Sequence, residues 1–239
     1  MNTKRNSGLL IAIDGIDGAG KTTQVEFLRK VFSDAGMEVV CSKEPTDGEW
    51  GSKLRESAQN GRLSLEDELD LFVKDRRDHV ETLITPELEA GKIVILDRYY
   101  YSTITYQGAR GANIDEVTDL MSEFPTPDKT FVFDLDPNLA VSRIRDSRNE
   151  TPNEFEGVEY LTRVRDKFNK LDMDEIVKID SSQSAQIISK QILDDLIETS
   201  LRSHLCAKEH ECDVVYCMLR IANQCEWFTK QGELKSSLN

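Results

Sequence analysis

Gly15-Ile16-Asp17-Gly18-Ala19-Gly20-Lys21-Thr22 stands between a short apolar run, Leu9-Leu-Ile-Ala-Ile-Asp14, and a stretch of helical spacing from Thr22 to Ser33. A glycine-rich loop that joins a strand to a helix and ends in Gly-Lys-Thr matches the G-x-x-x-x-G-K-[ST] phosphate cradle in its required context. Gly15, Gly18 and Gly20 let the backbone turn its N–H groups inward around phosphate oxygens, and the helix adds its positive N-terminal end. Lys21 supplies a mobile positive charge for the β- and γ-phosphates, and the Thr22 hydroxyl is the expected ligand of a nucleotide-bound Mg²⁺. Gly15, Asp17, Gly18, Ala19, Gly20, Lys21, Thr22 and Thr23 together form the expected donor-nucleotide site. The loop alone leaves the fate of the γ-phosphate open, because GTPases, ATPases and kinases all use it.

Working outward, four more apolar runs share the character of the first: Glu38 to Cys41, Lys92 to Asp97, Thr130 to Leu135 and Glu175 to Asp180. Segments with helical spacing alternate with them, at Leu65 to Glu89, Asn138 to Asp146, Phe155 to Leu171 and Ser181 to Leu201. Runs apolar on both alternating faces suit strands covered on both sides, so the pattern predicts an α/β three-layer sandwich with a five-stranded parallel sheet. Residues 1–201 are expected to form this domain. Residues 202–239 read as a C-terminal extension, helical by the spacing of Val214, Met218, Ile221, Ala222, Cys225 and Phe228. His204, Cys206, His210, Cys212 and Cys217 could furnish metal ligands there, but their spacings match no strong zinc pattern.

The chain has 239 residues, a formal net charge of −14, 38% hydrophobic and 31% charged residues. That charge disfavours a general grip on nucleic acid, which rests on clustered Lys and Arg. No uninterrupted apolar run is long enough to span a bilayer, and Leu9 to Ile13 is too short for a signal peptide. The cysteines read as reduced thiols, and the expected location is the cytoplasm.

Several separated motifs give a more specific reading. Asp14-Gly-Ile-Asp-Gly-Ala-Gly-Lys-Thr-Thr23, Lys43-Glu-Pro-Thr46, Leu71-Phe-Val-Lys-Asp-Arg-Arg-Asp-His79 and Asp97-Arg-Tyr-Tyr-Tyr-Ser-Thr-Ile-Thr-Tyr-Gln-Gly108 stand in an order and spacing that resemble the thymidylate kinases, from about Leu9 to Leu201. The resemblance implies Mg²⁺-dependent transfer of the ATP γ-phosphate to dTMP. In its terms Asp17 positions the acceptor near the sugar 3′-hydroxyl, although an Asx turn would also explain an acid in this loop. Arg98 contacts the acceptor phosphate and counters charge during transfer, and Asp97 supports Mg²⁺ and its waters. Phe72 stacks on the pyrimidine and Arg76, one helical turn on, reads its O4 edge; read alone, Phe72 would suit a core position. Pro45 packs near the base, Thr103 and Tyr106 contact base and sugar with Tyr106 crowding a ribose 2′-hydroxyl, and Gln107 adds a polar contact.

A local excess of arginine at 143, 145, 148, 163 and 165 surrounds the polar stretch Asn149-Glu-Thr-Pro-Asn153 and reads as a lid, about residues 143–157. Some thymidylate kinases carry an arginine in the phosphate loop. This chain has Gly18 and Ala19 there and resembles those that deliver it from the lid, with Arg143 and Arg148 preferred over Arg145. A solvated helix face is the alternative for each. No general base is needed, since an ionised monophosphate oxygen is already a nucleophile. The resemblance also implies a homodimer. Two alternatives stay open: an acceptor such as dUMP or a 5-substituted dUMP, since a methyl group is a single apolar contact, and a nucleotide-binding protein that no longer transfers phosphate.

Overall fold

The computed structural model describes residues 8–148 and 157–201. In chain order the elements are β1 (Leu9–Gly15), α1 (Lys21–Asp34), β2 (Val39–Lys43), α2 (Glu49–Asn60), α3 (Leu65–His79), α4 (Thr85–Glu89), β3 (Ile93–Asp97), α5 (Tyr100–Ala109), α6 (Ile114–Met121), β4 (Lys129–Asp134), α7 (Pro137–Arg148), α8 (Val158–Lys170), β5 (Ile176–Asp180) and α9 (Ala185–Leu196). The five strands form one parallel sheet in the order β2-β3-β1-β4-β5, as their apolar runs predict.

Burial follows from that order. All seven residues of the central β1 are buried, so both faces of the sheet are covered. One helical group packs α1 against α9, and another packs α5 against α6 and α8. In α1 the residues turned inward, Gln24, Val25, Phe27, Leu28, Val31 and Phe32, recur at the spacing of one helical face. The helix stops at Gly36, which takes the left-handed backbone (φ 78°) that other residues avoid. Phe131 and Phe133 of β4 are essentially inaccessible, and each contributes about 2–3 kcal/mol by burial.

The register decides what the sheet presents at its carboxyl edge, where open α/β sheets collect ligands. Ile13 of β1 lies opposite Asp97 of β3. The Arg98 amide then donates to the Ile13 carbonyl at 2.9 Å. The phosphate loop and the Asp97-Arg98 pair therefore leave the sheet side by side.

The expected helix from Leu65 to Glu89 is continuous in direction but not in type. Val80–Ile84 forms a π-helical turn between α3 and α4. Pro86 explains it: with no N–H, and a ring that crowds the carbonyl four residues earlier, it widens the preceding turn, and Thr85 N–H donates to the Val80 carbonyl. Strand β2 runs two residues past its apolar run because Ser42 and Lys43 pair with Leu96 and Asp97 on an edge that tolerates polar side chains. No helix among the described residues is long and apolar enough to cross a membrane. Residues 202–239, with the extension's cysteines and histidines, lie outside the described residues, as do 149–156 of the expected lid.

Candidate active site

Between β1 and α1 the loop turns on three glycines of positive φ: Gly15 (136°), Gly18 (78°) and Gly20 (90°). At two of them space is also needed. A Cβ on Gly15 would come 2.6 Å from the Phe133 carbonyl oxygen, and one on Gly18 would come 2.5 Å from that of Ala140. Gly20 caps α1 without a side chain, so the first-turn amides of a fourteen-residue helix keep their donors for a ligand. Lys21 Nζ donates to the Ile16 carbonyl at 2.8 Å inside the loop. Burial and the Arg98 charge depress the ammonium to about 8, against the opposing pull of Asp17, Asp97 and Asp14.

Across the loop stands Arg98, held at φ 73°, a conformation that costs a non-glycine residue about 1–3 kcal/mol and that here is fastened at several points. Its Nη1 donates to the Gly15 carbonyl and to Ser102 Oγ, each at 3.0 Å, and its Nη2 to Asp17 Oδ1 at 2.6 Å. Tyr106 Oη donates to Asp17 Oδ2 at 3.0 Å. Burial alone would raise Asp17, but Arg98, Lys21 and the Tyr106 hydroxyl hold its carboxyl below the usual range. The Ser102 hydroxyl in turn donates to Oδ1 of the fully buried Asp14, whose carboxyl burial pushes up to about 6. Thr22 Oγ1 donates to Asp97 Oδ2 at 2.5 Å, so the two expected Mg²⁺ oxygens already adjoin and form the hard donor set that cation prefers.

These groups face one cavity of about 1160 Å³, which Gly18, Gly20, Lys21, Thr22 and Thr23 line at one end. Pro45, Phe72, Arg76, Thr103, Tyr106 and Gln107 line the other. Phe72 is half-buried and faces the cavity rather than the core. Arg76 is almost inaccessible, with Nε 2.9 Å and Nη2 2.5 Å from Glu44 Oε2, and Nη2 3.1 Å from Thr103 Oγ1. Glu44 also meets His79 Nδ1 at 3.0 Å, and the far ring nitrogen lies 2.8 Å from Ser42 Oγ. Burial pushes Glu44 up, and the charges of Arg76 and His79 outweigh it, leaving the carboxyl below its ordinary value.

Two of the expected loop residues do not line the cavity: Gly15 and Ala19 are spent on the turn beneath it. Among the lid candidates Arg143 lines it, with Nη1 3.1 Å from the Ser181 carbonyl. Arg145 is exposed on α7 and does not line the cavity, while the side chain of Arg148 lies outside the described residues. Arg163 pairs with Glu159 on the surface and Arg165 grips Asp134 through two hydrogen bonds, which binds α8 to β4.

Sequence reading missed Arg55, Glu44, Glu68 and Asp146, all of which line the cavity. Arg55 sits on α2 and donates to the Pro45 carbonyl at 2.9 Å. Leu54 is the one large apolar residue that α2 buries, which made the helix easy to overlook. The Glu-Pro of Lys43 to Thr46 could have drawn attention to Glu44, whereas Glu68 and Asp146 are single acids among many.

The cavity thus collects the phosphate loop and Lys21 together with the guanidinium groups of Arg98 and Arg55. A P-loop that shares its cavity with further arginines and an aromatic ring is the arrangement of a phosphotransferase of the nucleoside monophosphate kinase class. The family model described as thymidylate kinase matches residues 13–192. Proteins named "Thymidylate kinase" from Xanthomonas oryzae pv. oryzae (strain PXO99A) and Xanthomonas campestris pv. campestris (strain B100) are each 48% identical over 184 residues, covering 77% of this chain and 81% of theirs. One of the same name from Xylella fastidiosa (strain M12) is 44% identical over 191 residues, 80% of this chain and 88% of its own. The chain belongs to the thymidylate kinase family.

Proposed function

We propose that this enzyme transfers the γ-phosphate of ATP to dTMP, forming ADP and dTDP. The observation that carries this reading is the shared cavity in which the phosphate loop and Lys21 face Arg98, Phe72, Arg76 and Gln107.

In the reaction an oxygen of the acceptor monophosphate forms a bond to the γ-phosphorus as the bond from that phosphorus to its bridging oxygen breaks, and ADP leaves with the electron pair. Loop amides and Lys21 hold the donor phosphates. Arg98, turning from Asp17 toward the acceptor phosphate, offsets the repulsion of two anions and the charge on the equatorial oxygens. Asp17 and Tyr106 meet the deoxyribose, and the Tyr106 ring, wedged edge-on by Tyr160 and Phe168, fills the space a 2′-hydroxyl would need. Phe72 stacks on the base while Arg76, held rigid by Glu44, offers donors to O4. Thr22 and Asp97 would hold Mg²⁺, which neutralises the donor's charge when bound. Arg143, which lines the cavity from α7, would offset charge on the transferring phosphate, while 149–156 of the expected lid lie outside the described residues.

Initial rates with ATP on dTMP, dUMP, dCMP and dGMP test the reading. It expects dTMP to lead and ADP to form only when a monophosphate is present. A dUMP preference would move the acceptor to the alternative pyrimidine, a purine preference would refute the base assignment, and ADP formation indifferent to acceptor would refute the transfer itself.

A further inference from the structure

Gln107 is fully buried on α5 and lines the cavity, yet its Oε1 has no hydrogen-bond partner among the described residues. A primary amide can be turned either way round, presenting a carbonyl or an NH₂ to the cavity, and the two choices recognise opposite partners. Its neighbour decides between them. Gln107 Nε2 lies 2.9 Å from Glu68 Oε1. Glu68 is itself almost inaccessible, and its other oxygen accepts from Arg62 Nε at 3.2 Å and from Arg110 Nη1. Arg110 is anchored in turn by the Leu63 carbonyl at 2.9 Å. A carboxylate fixed by two guanidinium groups has only acceptors to offer, so the amide must turn its NH₂ toward Glu68 and leave its carbonyl for the ligand.

One turn earlier on α5, Thr103 meets Arg76, whose guanidinium has donors and no acceptor. The cavity wall therefore carries a donor from Arg76 and an acceptor from Gln107. Uracil and thymine present the complement, an O4 acceptor beside an N3–H donor. Cytosine reverses both positions.

We propose that Glu68 is a positioning residue that sets the orientation of the Gln107 amide and thereby selects pyrimidines bearing an N3–H over cytosine. This rests on the pyrimidine acceptor proposed above and assigns part of its selectivity to a residue that need not touch the base. A group left unpaired in such a site is worth roughly tenfold or more in discrimination.

The test compares kcat/KM for dTMP and dCMP in the full-length protein. Glu68→Gln can accept or donate, so it frees the Gln107 amide to turn; the dTMP/dCMP ratio should fall roughly tenfold or more, chiefly through KM for dTMP. In a Gln107→Met background the same Glu68 substitution should leave the ratio unchanged, because the group it orients is gone. An unaltered ratio in folded Glu68→Gln, or an equal fall in both backgrounds, would overturn the inference. Wild-type protein supplies a check independent of variant folding: N3-methyl-dTMP should bind roughly tenfold or more weakly than dTMP in calorimetry, and equal binding would also overturn it. These failures are separable from failure of the pyrimidine reading, which a wild-type purine preference would reveal.

Discussion

Arg98 Nη2 and Asp17 Oδ1 lie 2.6 Å apart although 81 residues separate them in the chain. Parallel pairing of β1 with β3 brings them together, since Ile13 opposite Asp97 sets the first residues after both strands over the same point. The phosphate loop and Arg98 are thus one electrostatic unit. Asp17 stays ionised against Arg98, and Arg98 is held in a backbone conformation it would not choose alone.

Lys21→Met removes the loop's cation while keeping a side chain of similar reach. Because burial already penalises the ammonium, the thermal midpoint should not fall. Turnover of dTMP should drop about 10²–10³-fold or more, as for loss of one preorganised charge in a transfer site. Wild-type turnover by the pure variant would contradict the assignment of Lys21 to the donor phosphates.

Glu44 is the sole carboxylate shown against the buried Arg76 guanidinium among the described residues. Glu44→Ala leaves that cation buried and unpaired, an arrangement that costs about 3–5 kcal/mol. Denaturant unfolding measures it. A loss below about 1 kcal/mol would mean that Arg76 finds water or another partner and is not held by Glu44.

Asp14 makes stability rise as the solution is acidified over a defined window. Its folded carboxyl sits near 6 against an ordinary value of 3.8, because burial outweighs the help of Ser102 and Arg98. Keeping it ionised at pH 7 therefore costs about 3 kcal/mol, and that cost disappears as pH falls through 6 toward 4. Asp17 and Glu44 are shifted downward from 3.8 and 4.5 and withdraw stability only at more acid pH. Unfolding free energy should increase from pH 7.5 to pH 5, and Asp14→Asn should flatten that increase. Identical pH dependence in the two proteins would show that Asp14 is not the group responsible.

Tyr106 is wedged beside Asp17 by Tyr160 and Phe168, with ring centroids 6.1 and 6.4 Å away. On the proposed reading, truncation to alanine opens the space that the ring would deny to a 2′-hydroxyl. The kcat/KM preference for dUMP over UMP should narrow about tenfold, in line with the loss of one steric contact. If the preference survives intact, discrimination of the sugar lies elsewhere.

Legibility in the sequence followed the physical range of each signal. The β1 apolar run, the Gly15 to Thr22 loop and the face of α1 are local patterns, and their spacing alone predicted strand, turn and helix. Helix α5 escaped periodicity because nearly all of Tyr100–Gly108 is buried, so it has no polar face to contrast with an apolar one. The widened turn at Val80–Ile84 depends on one proline acting backward, a short-range effect that the long helical pattern concealed.

What the sequence determined by itself was the phosphate loop, the alternation of strands with helices, and the residue types that motif resemblance attached to an acceptor. Only the tertiary structure decided which of them meet. It turned Arg98 onto Asp17, buried Arg76 against Glu44, took Arg165 for Asp134, and oriented Gln107 through Glu68. The reason is that hydrogen bonds act over about 3 Å and are made between side chains from different elements. Strand register and helix packing supply those distances, and neither is carried by any local stretch of the chain.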